Sequence, residues 1–181
     1  MSSLIVMSHI KDGVEFAKKY KLTQKIIDII QQHHGTTLIT YFYHKALEQQ
    51  QKEKAENGVE EYSFRYPGPK PQTKESAIVM IADSAEAASR SLDDPSPSRV
   101  KSLVAKIIED KIADHQLDDS QLNFKEIRSI GDSIESSLNG MFHFRVEYPA
   151  EIEGDASGKS EQPGRGPSYV EDTGYQPSKD K

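Results

Sequence analysis

Three prolines crowd the segment Pro67-Gly68-Pro69-Lys70-Pro71, and a helix cannot pass through it. Each ring removes a backbone N–H and pushes the residue before it toward extended conformations. With Asn57-Gly58 upstream, the segment predicts one long loop over residues 57–72. On either side of it Ile, Leu, Ala, Lys, Glu and Gln recur at three- to four-residue spacing, and few segments alternate with period two. The rest of the chain therefore reads as helix. The expected fold is all-α, a helical bundle interrupted by one proline-rich loop.

Local signals place the helices. The first covers about 3–20 and the second 23–34, with Thr23 as N-cap and Gly35 as the left-handed residue after its end. The third, about 38–55, is polar all round in its second half, which should project into solvent. The fourth, about 74–92, is capped by Thr73. Ser96-Pro97 opens the fifth, a cap followed by proline at the first helical position, and it ends near Ala113. Asn123 and Glu126 have capping-box spacing and open a sixth that runs to about Phe142. A short extended piece over 143–148 follows. From residue 150 to 181 Gly and Pro stand among Ser, Asp, Glu and Lys, with almost nothing to bury, which predicts a disordered polar tail. The expected division is one domain, 1–149, and the tail.

Composition narrows the chemistry. The formal charge of −6 argues against binding a nucleic-acid polymer through a global basic field. An anionic ligand then needs a local patch or a metal. Without cysteine there is neither a disulfide framework nor a thiolate site, so His, Asp and Glu are the strong ligands available. No apolar run reaches the roughly 20 residues that span a bilayer, which predicts no membrane contact from this chain and a cytoplasmic location.

Two adjacent histidines, His33 and His34, lie seven residues after Ile26 and Ile27, nearly two helical turns. They continue the apolar stripe of Ile26, Ile27 and Ile30 and should point inward, where their nitrogens need partners. A metal ion is one such partner; satisfied core histidines at a helix C-terminus are the other reading. Asp83 interrupts an apolar, alanine-rich helix. It is either a ligand or an exposed carboxylate paired with Arg90 or Lys74. His9 stands one turn after Ile5, and a lone His in an apolar helix is more often structural. Together His9, His33, His34 and Asp83 offer a His/Asp set on three helices, which suits Zn, Fe or Mn and not Ca.

These residues resemble the HD phosphohydrolase superfamily, and in particular its seven-transmembrane (HDIG-type) cyclic di-AMP phosphodiesterases. The resemblance rests on 8–15, Gln32-His33-His34-Gly35-Thr36-Thr37, Tyr41-Phe42-Tyr43, Phe64-Arg65-Tyr66 with the proline-rich segment, 82–87 and Leu138-Asn139-Gly140. It covers about 4–149, and the His-His-Gly-Thr-Thr and proline-rich stretches are its most specific parts. It implies a divalent transition metal, Fe or Mn first, and a cyclic dinucleotide substrate. The family builds its two-metal site from an early His, a His-Asp doublet, a lone His, a His-His pair and a final Asp. His9 matches the lone His, His33 and His34 the pair, and Asp83 the last Asp.

No His precedes His9, and no His-Asp dipeptide occurs in the chain. The resemblance therefore implies an N-terminally truncated HD bundle in which only one of the two metal sites can be near complete. A separately encoded or upstream N-terminal half is the expected partner, and attachment to it would place the chain at the inner face of the cell membrane. Little turnover and marginal stability are expected of the chain alone. For substrate, Arg65, Lys70 and Lys74 could form a positive patch and Tyr66 could stack on adenine. A non-catalytic cyclic-dinucleotide-binding module and a degenerate gene fragment remain as alternatives.

Overall fold

The start of each later helix is set by a side chain that satisfies N–H groups no helix can satisfy internally. Thr73 accepts from the N–H of Ser76 and opens α4, Lys74–Ser89. Ser96 accepts from Arg99 and opens α5, Pro97–Ala113. At α6, Phe124–Phe142, the capping box is complete. Asn123 Oδ1 accepts from the N–H groups of Lys125 and Glu126 at 3.0 Å, and Glu126 Oε2 accepts from the Asn123 N–H at 3.0 Å. Upstream are α1, Ser3–Lys19, α2, Gln24–Gln32, and α3, Thr40–Glu53. This computed structural model describes residues 3–53 and 58–142. The expected extended piece over 143–148 and the expected tail lie outside the described residues.

Helix α4 sits at the centre. Its Ala77, Met80, Ile81 and Ala85 are fully buried, and α2, α5 and α6 all pack on it. The small side chains let three helices approach one axis. Met80 and Ile81 meet Leu117 and the apolar face of α6, while Ala85 meets Val100, Val104 and Leu138. Helix α1 packs on α2 through Val14, Ala17 and Ile27. The approach is close at Gly13, where a Cβ would stand 2.9 Å from Ile30 Cγ2.

Three details differ from the reading of the sequence. Thr23 precedes α2 with extended backbone, but its side chain makes no cap hydrogen bond. The segment 38–39 is not helical: Leu38 forms an isolated antiparallel bridge with Arg65, and Glu61–Phe64 is a single 3-10 turn. Ile26 is 42% exposed, whereas Ile27 is buried. A helix of nine residues is gripped by α1 on one side and α4 on another, and Ile26 faces neither. Exposed apolar side chains also mark α1 and the turn after it: Leu4, Ile5, Phe16, Tyr20 and Leu22.

This register is testable by urea unfolding. Ile81→Ala should cost about 2–5 kcal/mol, as for a buried aliphatic side chain. Ile26→Ala should cost less than about 0.5 kcal/mol, the range of surface positions. Equal losses at the two positions would contradict the packing of α2.

Candidate metal centre

His9 stands in the second turn of α1, and His33 and His34 close α2. His9 Nδ1 lies against the carbonyl of Val6, and His33 Nδ1 lies 2.8 Å from the carbonyl of Ile30. A carbonyl cannot donate, so Nδ1 carries the proton in both rings. Each neutral ring then presents its Nε2 lone pair outward. The two Nε2 atoms face one another at 3.4 Å. Two lone pairs cannot bond to each other, and a cation or an added proton is what such a pair accepts. His34 completes the group, with ring centroids 4.1 Å from His33 and 4.9 Å from His9. One ligand nitrogen from each ring lies within 4.8 Å of the others. Backbone carbonyls that fix a ligand tautomer are the usual outer support of a metal-binding imidazole. The donor set therefore fits a divalent transition metal.

His34 is the most enclosed of the three. It stacks on Tyr66, with centroids 4.3 Å apart and planes 17° apart. Burial first, then the fields of His33, His9 and Lys111, push its pKa down to about 3. It is neutral at ordinary pH, so its approach to Asp83, Nδ1 to Oδ2 at 3.7 Å, is not an ion pair. Asp83 is an exposed carboxylate on α4 facing the imidazoles. Neither expected neutralising partner takes it, because Arg90 pairs with Glu86 and Lys74 with Glu126. His9 is also exposed. The expectation that His33 and His34 point inward is thus corrected: both are half-buried, beside the exposed His9 and Asp83. They meet at the surface of this chain, beside the apolar side chains left open on α1.

The loop after the histidines turns at the expected Gly35 and is held by Gln116, which sequence reasoning did not single out. Gly35 has φ +53°, and a Cβ there would meet Gln116 Oε1 at 2.5 Å and Met80 Cε at 2.7 Å. Gln116 is buried; its Oε1 accepts from the Thr36 N–H at 2.9 Å and its Nε2 donates to Thr36 Oγ1 at 2.9 Å. Backbone bonds from Tyr66 N to Thr37 O and from Ile39 N to Phe64 O tie this loop to the stretch before the prolines. They seat Tyr66 against His34.

Arg65, expected to meet substrate, makes several contacts within the chain. Its fork grips Asp114 at 3.1 and 2.9 Å, Nε and Nη2 donate to Glu61, and Nη1 also reaches the Thr36 carbonyl. All five guanidinium N–H donors are used. Lys70 is half-buried, and no ion pair joins it to a carboxylate among the described residues.

The lowered His34 pKa has a definite sign. The unfolded chain takes a proton near 6.5, while the folded ring resists until about 3. Stability from this group is full above about 6.5 and declines as pH falls toward 3. Urea midpoints of the metal-free chain should fall over that range, and His34→Asn should flatten the fall.

Residues 3–88 match the HD domain family. The cyclic-di-AMP phosphodiesterase PgpH of Bacillus subtilis is 47% identical over 82% of this chain and 20% of its own length. PgpH of Listeria monocytogenes is 45% identical over 80% of this chain and 19% of its own length. The chain thus spans about a fifth of the curated relatives it matches. The crystal structure of the L. monocytogenes PgpH HD domain superposes with a TM-score of 0.70 at 44% identity, covering 78% of this chain and 63% of that one. The same domain in complex with cyclic-di-AMP gives 0.71 at 43%, covering 81% and 66%. Six α-helices among the described residues, a His-His pair closing the second, and this sequence identity converge on one conclusion: the chain belongs to the HD-domain family.

Proposed function

We propose that this chain is part of a metal-dependent HD-domain phosphodiesterase that hydrolyses cyclic di-AMP. His9, His33 and His34 hold a divalent transition metal, Fe or Mn, with Asp83 beside them. The observation that carries this reading is the convergence of three imidazole nitrogens within 4.8 Å, two of the rings anchored through Nδ1. The PgpH domain solved in complex with cyclic-di-AMP supports the substrate class. When bound, the metal supplies Lewis acidity toward a phosphate oxygen and lowers the pKa of a water. The protein's own part is to hold three rings aimed at one point. Backbone carbonyls do so for His9 and His33, and the Tyr66 stack does so for His34. One face of Tyr66 is taken by His34, so an adenine would stack on the other, with Lys70 nearby in sequence as a cation for phosphate.

The ligand set is incomplete within the chain, which contains no His before His9 and no His-Asp dipeptide. Its centre also borders an uncovered apolar stripe. Ile5, His9, Phe16 and Tyr20 fall on one face at 100° per residue. We therefore place opposite this stripe an N-terminal half that carries the early His and the His-Asp doublet and buries Ile5 and Phe16. Attached to membrane-spanning segments, such an assembly would work at the inner face of the membrane. Among the described residues no helix is long and apolar enough to cross one.

Co-expression with a segment carrying those missing ligands, followed by an assay of cyclic di-AMP hydrolysis with Mn or Fe, tests the proposal. Hydrolysis is expected from the complex and not from the chain alone, and His33→Ala in the complex should lower both metal content and rate by more than about 10-fold. A folded, metal-loaded complex that binds the nucleotide without cleaving it would make the chain a binding module instead.

A further inference from the structure

Lys111 carries a charge that neither the fold nor the proposed centre has used. It lies in the last turn of α5 and is only 8% exposed. Its Nζ donates to Thr37 Oγ1 at 3.0 Å. An ammonium has three N–H donors, and the other two have no partner among the described residues. The carboxylates within its electrostatic reach are Asp114, Asp83 and Asp110. Asp114 lies in the fork of Arg65 and Asp110 pairs with Lys106, while Asp83 faces the neutral His34. No ion pair joins Lys111 to any of them.

A buried cation without a counter-charge is costly, and desolvation accordingly draws the Lys111 pKa down. Its field acts on both His34 and Asp83, the two walls of the centre. The loop that Lys111 touches is the one that carries the histidines, since the Thr37 N–H donates to the His34 carbonyl at 3.1 Å. A charge with open donors on the loop that carries the three-imidazole group favours one kind of visitor, an anion held next to the metal position.

We propose that Lys111 is an anion-binding residue of the candidate centre, donating to a non-bridging oxygen of the phosphate that the centre receives. The identity of that phosphate as a cyclic dinucleotide rests on the function proposed above; the anion site itself does not. Arg65, the other cation on this loop, already donates to Glu61, Asp114 and Thr36.

The test is calorimetric titration of inorganic phosphate, and separately of cyclic di-AMP, into the Mn-loaded full chain and its variants. Lys111→Met should weaken phosphate binding about 10- to 100-fold, the range for losing one charged hydrogen bond. Lys111→Arg should stay within about 5-fold, and Thr37→Val, which removes only the loop contact, within about 3-fold. The proposal is overturned if Lys111→Met binds phosphate as the parent does, if Thr37→Val loses as much as Lys111→Met, or if the parent chain binds no phosphate. Should Lys111→Met fail to fold, the Lys111 Cε–H NMR signals of the parent decide: movement on adding phosphate supports the site, and no movement sinks it. A parent chain that binds phosphate but not cyclic di-AMP keeps the Lys111 site and removes the substrate reading.

Discussion

The turn at Gly35 is the constraint on which the site depends. Immediately after the two histidines the backbone must enter the left-handed region, with no room for a Cβ between Gln116 and Met80. That reversal lets residues 37–39 run beside 64–66 and brings the end of α5 onto the loop. Gln116 reads the Thr36 amide and hydroxyl together, and Arg65 takes the Thr36 carbonyl while forking onto Asp114. One short loop is thus tied to the start of the proline-rich segment and to α5. A buried network of this kind fixes position because every member is satisfied, and a half-satisfied one would cost more than it contributes. The result reaches the metal centre through Tyr66, whose ring lies flat on His34.

The exposed side of the centre has a different logic. His33 and His34 are supported by their own helix and loop, but His9 stands on an open stripe of α1 among apolar neighbours. Burying a large aliphatic or aromatic side chain is worth roughly 1.5–3 kcal/mol, and a domain of this size retains only roughly 5–15 kcal/mol in all. Leu4, Ile5, Phe16 and Tyr20 left in water are therefore a large fraction of what the chain could gain from a covering partner. The same uncovered surface borders the three histidines. A single partner element laid along α1 would cover both, which would link the stability of the bundle to its site.

Much of the fold was legible because its signals are local. The Asn123–Glu126 capping box, Ser96-Pro97, Thr73 and the left-handed Gly35 each act within about one turn, and each is found where its residues stand. The meeting of His9, His33 and His34 was legible through spacing and resemblance. What escaped were contacts made across long stretches of chain. Gln116 and Thr36 are 80 residues apart, Lys111 and Thr37 74, and Arg65 and Asp114 49. Nothing within either partner's own neighbourhood announces the other. Ile26 escaped for a related reason: in a helix of nine residues the apolar stripe is too short to define a face until the neighbouring helices are known.

Charge decides what the centre can attract. The chain carries a formal charge of −6, so an anionic ligand approaches against the average field. Cations around the loop are mostly cancelled in place: Arg65 by Glu61 and Asp114, Lys74 by Glu126, Lys106 by Asp110. His34 adds no charge at ordinary pH, since its proton is lost well below 6.5. The attraction for a phosphate would then come from a bound divalent ion and from a lysine without an ion pair. Lys111, buried beside the histidine loop, is the one whose charge is least screened by water and so acts most strongly per unit distance. Lys111 thus adds a buried positive charge against the loop that carries His34, and its field reaches that ring.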